Sequence, residues 1–87
     1  MDEVTQWLTD IVKGIVSMPE EVKVTNGRDN MGVLFTLYVD PSDAGKIIGR
    51  GGKTSDALRT LLYTKGYSHN MRASLTLDVP EIEKDQD

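Results

Sequence analysis

Val4, Leu8, Ile11, Val12 and Ile15 recur at the three- and four-residue steps of one helix face, and Trp7 and Val16 widen the stripe. Asp2 and Glu3 suit the positive end of that helix's dipole, and Pro19 is expected to stop it. The pattern then changes to alternation. Val22 and Val24 point inward along a short strand from Glu21 to Thr25, and Asn26-Gly27 with the polar residues up to Gly32 read as a turn. Val33, Phe35, Leu37 and Val39 alternate with Leu34, Thr36 and Tyr38, which predicts a longer strand buried on one face.

Asp40-Pro41-Ser42-Asp43 closes that strand and starts a short helix, with Ser42 or Asp43 as its cap. Ala44, Ile47 and Ile48 belong to this helix, which runs into glycines. A further helix carries Thr54, Ala57, Leu58, Leu61 and Leu62 on one side and is expected to end near Gly66, a C-terminal breaker. Met71, Ala73, Leu75, Leu77 and Val79 alternate with Arg72, Ser74, Thr76 and Asp78 in the clearest strand of the chain. The order is α-β-β-α-α-β, an α+β fold. The Asn-Gly turn makes the first two strands antiparallel, and the two-helix crossover makes the second and third parallel. A three-stranded mixed sheet with three helices on one face buries each of these stripes.

The 87 residues suffice for one domain, placed at 1–80, with an acidic, disordered tail at 81–87. With no cysteine, disulfides and thiolate metal sites are excluded, and no metal-ligand spacing appears. No apolar run reaches the ~20 residues of a membrane span, and the acidic start is unlike a signal peptide. These features point to a soluble, cytoplasmic protein. The net charge of −4 hides an uneven distribution. Residues 1–45 carry −5 and residues 73–87 carry −4, whereas residues 46–72 carry +5 from Lys46, Arg50, Lys53, Arg59, Lys65 and Arg72 against Asp56. Counterion release depends on the local patch that meets phosphates, so the basic middle segment matters more than the total.

Within that segment, Lys46-Ile47-Ile48-Gly49-Arg50-Gly51-Gly52-Lys53 sets a G-x-x-G between two helices. Glycines permit a tight turn and close approach of another backbone, and the basic flanks attract a polyanion. Helix-to-helix turns often contain glycine, so the four residues alone carry little weight. In this frame, the amides of Arg50, Gly51 and Gly52 at a helix start would meet a sugar-phosphate backbone. Arg50, Lys53 and Lys46 would add charge, and Ile47 or Ile48 would line an apolar groove for bases. Gly52-Lys53-Thr54 imitates the end of a P-loop, but Ile47 stands where that motif needs its first glycine. A dinucleotide fingerprint starting at Gly49 would place Thr54 at its last, small position. Catalysis has little support: His69, the single histidine, belongs to a solvated polar turn, and no motif places a nucleophile or paired carboxylate near it. The acids of the first segment read as solvated surface. Tyr63 and Tyr67 share a helix face, either as ordinary packing or as a dimer surface.

The element order, with the motif between its last two helices, resembles a type II KH domain across residues 2–80. KH domains clamp about four single-stranded nucleotides with such a loop. Asp40-Pro41-Ser42-Asp43-Ala44-Gly45-Lys46-Ile47-Ile48-Gly49 and Ala57-Leu58-Arg59-Thr60-Leu61-Leu62 are, more narrowly, similar to the small stand-alone bacterial proteins of the KhpA family. Thr54 and Ser55 stand in a turn where many KH domains carry an aliphatic residue, which predicts a more polar groove floor.

The resemblance implies a non-catalytic single-stranded RNA-binding protein without cofactors, with Lys46, Ile47, Ile48, Gly49, Arg50, Gly51, Gly52, Lys53 and Thr54 as its RNA-binding residues. It also implies chaperone-like or post-transcriptional roles linked to cell elongation and division. Self-association, or pairing with the KH-containing protein KhpB (Jag), follows from the same source. Two alternatives stand beside it. One is a protein-interaction adaptor that keeps the KH fold, favoured by the acidic flanks. The other is binding of single-stranded DNA, because the loop reads backbone.

Overall fold

The alternation of β2 organises the molecule, because the residues it turns inward form the centre of the core. In the computed structural model, which describes residues 2–78, helix α1 spans Asp2–Lys13 and strands β1 and β2 span Lys23–Asp29 and Gly32–Tyr38. Helices α2 (Ala44–Ile48) and α3 (Lys53–Tyr67) follow, and strand β3 (Ala73–Asp78) ends the fold. Short 3-10 turns occupy Pro19–Glu21, Pro41–Asp43 and Arg50–Gly52. Val79, Pro80 and the acidic tail lie outside the described residues.

The sheet has the order β1-β2-β3, antiparallel between β1 and β2 and parallel between β2 and β3. Val33, Phe35 and Leu37 of β2 are buried with Ala73 and Leu75 of β3. Against them pack Val4, Leu8 and Val12 of α1, Ile47 of α2, and Leu58 and Leu62 of α3. Each fully buried aliphatic side chain is worth about 1.5–3 kcal/mol relative to exposure. Leu34, Ser74 and Thr76 on the other sheet face are exposed, so the expected α+β arrangement with helices on one face is the one observed.

Several local expectations are corrected. Helix α1 ends at Lys13, well before Pro19, because the amides of Gly14 and Ile15 fall back to tighter bonds with the carbonyls of Ile11 and Val12. Pro19 instead opens a 3-10 turn, where its missing N–H costs nothing. The hairpin turns at Asn30-Met31, and Asn26-Gly27 lie inside β1. As an outer strand with a largely exposed surface, β1 tolerates them. The Asn26 amide donates to the hydroxyl of Thr5 on α1 (2.9 Å), and the Asp29 carboxylate accepts the Met31 amide (2.8 Å) to fix the real turn.

In α3 the buried stripe is Ser55, Leu58, Leu62 and Gly66, while Ala57 and Leu61 are exposed. The helix ends one residue past Gly66, near where it is expected to stop. The bare Cα of Gly66 lets the helix lie against Ala73 of β3. His69 follows in the polar turn and is half-buried, its amide bonded to the Gly66 carbonyl (2.8 Å). Tyr63 and Tyr67 stack with their ring centroids 6.5 Å apart.

Candidate nucleic-acid interface

A buried carboxylate prepares the approach to the glycine loop. Asp40 caps the turn before α2 by accepting the Ser42 amide (3.0 Å), whereas Asp43 makes no capping bond. Asp43 is fully buried, which removes it from the solvated acidic surface expected from sequence. It accepts the Ser17 amide (3.0 Å), the Ser17 hydroxyl (2.7 Å) and the Met18 amide (3.1 Å). The hydrogen bonds from Ser17, ahead of those from Met18 and the nearby Lys46 ammonium, hold its carboxyl below the ordinary carboxylate range against the opposing pull of burial. Lys46 Nζ lies 3.9 Å from Asp43 Oδ1 on an exposed side chain, a loose contact that leaves the ammonium facing solvent.

The loop itself needs its glycines. Gly49, Gly51 and Gly52 all have positive φ (78°, 64° and 78°). A Cβ on Gly49 would collide with the Thr54 hydroxyl and come within 2.7 Å of the Thr54 Cβ and amide nitrogen, whereas one on Gly51 would meet open space. Thr54 is thus half-buried against Gly49. Ser55 is buried, and its hydroxyl donates to the Gly52 carbonyl (3.1 Å). The polar turn anticipated as groove floor instead packs and ties the loop.

The Gly52 amide donates to the Gly49 carbonyl (3.1 Å) and the Lys53 amide to the Arg50 carbonyl, so Gly52 shapes the turn and is not an outward donor. No turn or cap bond uses the amides of Arg50 and Gly51, and no side chain caps the start of α3. Unpaired donors at the positive end of a 15-residue helix favour an anion, and the side chains of Arg50 and Lys53 are exposed beside them.

Of the two isoleucines, Ile47 is fully buried in the core and offers no surface to a ligand. Ile48 is half-buried next to Gly49 and keeps part of its side chain at the surface beside the loop. Lys46, Ile48, Gly49, Arg50, Gly51, Gly52, Lys53 and Thr54 thus gather in one turn and its flanks, without Ile47.

A second feature was missed from sequence. Beginning about 9 Å of helix rise beyond Lys53, Arg59, Thr60 and Tyr63 of α3 face Ala73, Ser74 and Leu75 of β3 across an open groove of about 360 Å³. Arg59 lies 3.7 Å from Asp56 at the surface while lining this groove. Arg59 and Tyr63 are four residues apart on a helix, a spacing that would have pointed to one shared face.

Among the described residues no group of acids and histidine is placed to hold a metal ion, and no helix is long and apolar enough to cross a membrane. The family model described as the KH domain of KhpA/KhpB matches residues 5–77. The chain is similar to "RNA-binding protein KhpA" of Leifsonia xyli subsp. xyli, 38% identical over 82% of this chain and 93% of the relative. It is also 38% identical to "RNA-binding protein KhpA" of Chlamydia pneumoniae, over 83% of this chain and 92% of that one. The protein of that name from Lactiplantibacillus plantarum is 31% identical over 90% and 92%. No solved structure matches the chain significantly.

Proposed function

This chain belongs to the KhpA/KhpB family of KH domains, and from that premise we propose that it binds single-stranded RNA at the Gly49–Gly52 loop without catalysing a reaction. The observation that carries the reading is the uncapped start of α3, where Arg50 and Gly51 leave backbone amides unused beside two exposed cations. The positive-φ glycines bring an RNA backbone close, and the amides of Arg50 and Gly51 donate to a phosphate. Arg50 and Lys53 add charge-assisted contacts, and Lys46 serves the neighbouring phosphate. Bases beyond the clamp lie against Ile48 and into the groove between Arg59, Tyr63 and Leu75. The relatives' shared name as RNA-binding proteins supports the same ligand.

The KH domain in this reading fills residues 1–80 of a cytoplasmic protein that acts as an RNA chaperone or post-transcriptional regulator linked to cell elongation and division. A loop that clamps about four nucleotides binds weakly alone. Pairing with a second copy, or with KhpB, raises avidity without new RNA contacts.

The test is binding of a labelled single-stranded RNA pool, across a salt series, to the wild type and to Arg50→Asp/Lys53→Asp. A salt-dependent affinity that the variant loses supports the clamp. Equal, negligible binding by both proteins, each still folded, overturns it in favour of a protein-interaction adaptor. A DNA pool of the same composition separates RNA from single-stranded nucleic acid in general.

A further inference from the structure

Helix α3 connects the glycine loop to a second basic site at its far end. Because β2 and β3 run parallel, the β1–β2 hairpin and the α3–β3 connection meet at one end of the sheet. The Val33 amide bonds the Arg72 carbonyl there at 2.9 Å. Between the two segments opens a cleft of about 640 Å³, lined by Arg28 and Met31 from the hairpin and by His69, Asn70 and Arg72 from the connection. Asp29 is the one acid on its wall, and its Oδ1 already accepts the Met31 amide. Among the described residues the ion pairs are Lys46–Asp43 and Arg59–Asp56, so no acid of the described residues pairs with Arg28 or Arg72 at this cleft.

Unpaired surface arginines are common, and two of them would not by themselves define a site. Continuity is the further observation. Asn70, Met71 and Arg72 also line a smaller cleft with Tyr63 and Tyr67, and Tyr63 in turn lines the groove that contains Arg59. The three concavities share residues and form one path along α3, from Arg59 past the stacked tyrosines to Arg28. Tyr63 and Tyr67 are 51% and 74% exposed on it. Cations that track a backbone, interleaved with exposed aromatic faces, are what a single strand of nucleic acid needs.

We propose that an RNA strand held at the Gly49–Gly52 loop continues along this path and that Arg28 and Arg72 bind phosphates of its distal nucleotides. The cleft is thus a second phosphate site, supplied jointly by the hairpin and the α3–β3 connection. It lengthens the footprint beyond the loop's clamp. This inference rests on the clamp reading, since the loop fixes where the strand enters.

The experiment compares two labelled RNAs, one of about four nucleotides, the length a KH loop clamps, and one about twice as long. Wild type and Arg28→Gln/Arg72→Gln are titrated with both, and Tm and molecular mass in solution are measured for each protein. The expected result is tighter wild-type binding of the longer RNA. In the variant that gain falls about tenfold, and the salt slope for the longer RNA drops by about 1.4, at about 0.7 per single-strand phosphate contact. Binding of the short RNA is then the same for both proteins. If wild type holds both lengths equally, or the variant keeps the gain, the second site is overturned and the clamp stands. If wild type binds neither RNA, the clamp fails and this inference with it. If the substitutions instead break up a dimer, the cleft is an interface between copies and the proposal is overturned.

Discussion

Ser17 and Asp43, 26 residues apart, meet through two hydrogen bonds from the serine amide and hydroxyl to one carboxylate oxygen. This contact pins the chain after α1 to the turn that launches α2, and α2 in turn delivers Gly49. The carboxylate is buried, and its ionised form is the one these donors favour. Asp43→Asn should therefore lower Tm at neutral pH by several degrees, since an amide cannot accept all of the bonds and must bury its own donors.

The lowered acidity of Asp43 adds a pH signature. A carboxyl whose folded pKa is depressed stabilises the fold fully above the unfolded value, near 3.9, and loses that contribution as pH falls through the folded value. Wild-type Tm should thus decline below about pH 4 in part through this group. In Asp43→Asn the difference from wild type should shrink across the same acid range, which thermal melts followed by circular dichroism at each pH will read. A difference that stays constant down to the lowest pH would assign the loss to packing alone.

Two glycines of the loop should respond differently to alanine. Gly49→Ala adds a Cβ that overlaps Thr54 at the first residues of α3, on a backbone with φ of 78°. The loop must shift, with a cost of about 1–3 kcal/mol and loss of RNA binding. Gly51→Ala meets no neighbour and carries only the left-handed backbone penalty, about 1 kcal/mol. Chemical denaturation separates the two stabilities. Equal costs at both positions would show that φ, and not the Thr54 contact, governs the loop.

Much of this arrangement was legible because β2 and β3 alternate so cleanly. Val33, Phe35, Leu37 and Leu75 declared their inward face, and the crossover between them fixed parallel pairing. The hairpin turn was not legible, because Asn26-Gly27 has turn chemistry but lies on an outer strand where neither residue must pack. The role of Asp43 was equally hidden. Its partners are 25 and 26 residues away, and no local pattern tells a capping aspartate from one that reaches across the fold. In α3 the stripe was misplaced because Ser55 and Gly66 do core work without being apolar, while Leu61 is exposed. The basic loop could be read directly, but the groove beside it depends on where β3 lies against α3.

Gly66 should be as intolerant as Gly49, for a different reason. It lies within α3, where alanine normally raises helix stability by about 1 kcal/mol relative to glycine. Here an added Cβ would come within 2.8 Å of the Ala73 Cβ and 3.1 Å of the Met71 carbonyl oxygen. Gly66→Ala should therefore push α3 off the start of β3 and destabilise the protein by about 1–3 kcal/mol despite the propensity gain. Pairing it with Ala73→Gly should recover part of the loss, and a denaturation cycle over the four proteins measures that coupling. Full additivity would place the strain on the Met71 carbonyl.

Tyr63 offers a test that separates ligand contact from folding. Its ring is half exposed on the groove wall that faces Ala73, Ser74 and Leu75, so its removal takes little from the core. If bases stack there, Tyr63→Ala should weaken RNA binding by about 1–3 kcal/mol, the usual worth of one base on an aromatic ring. Tm should change little, and Tyr63→Phe should bind like wild type because stacking uses the ring face and not the hydroxyl. Fluorescence anisotropy with an RNA about twice the length a KH loop clamps reads all three proteins under one salt condition. A Tyr63→Phe variant as weak as Tyr63→Ala would transfer the role to the phenol hydroxyl as a hydrogen-bonding group. Unchanged affinity in both would place the bound strand elsewhere than along the face of α3 that meets β3.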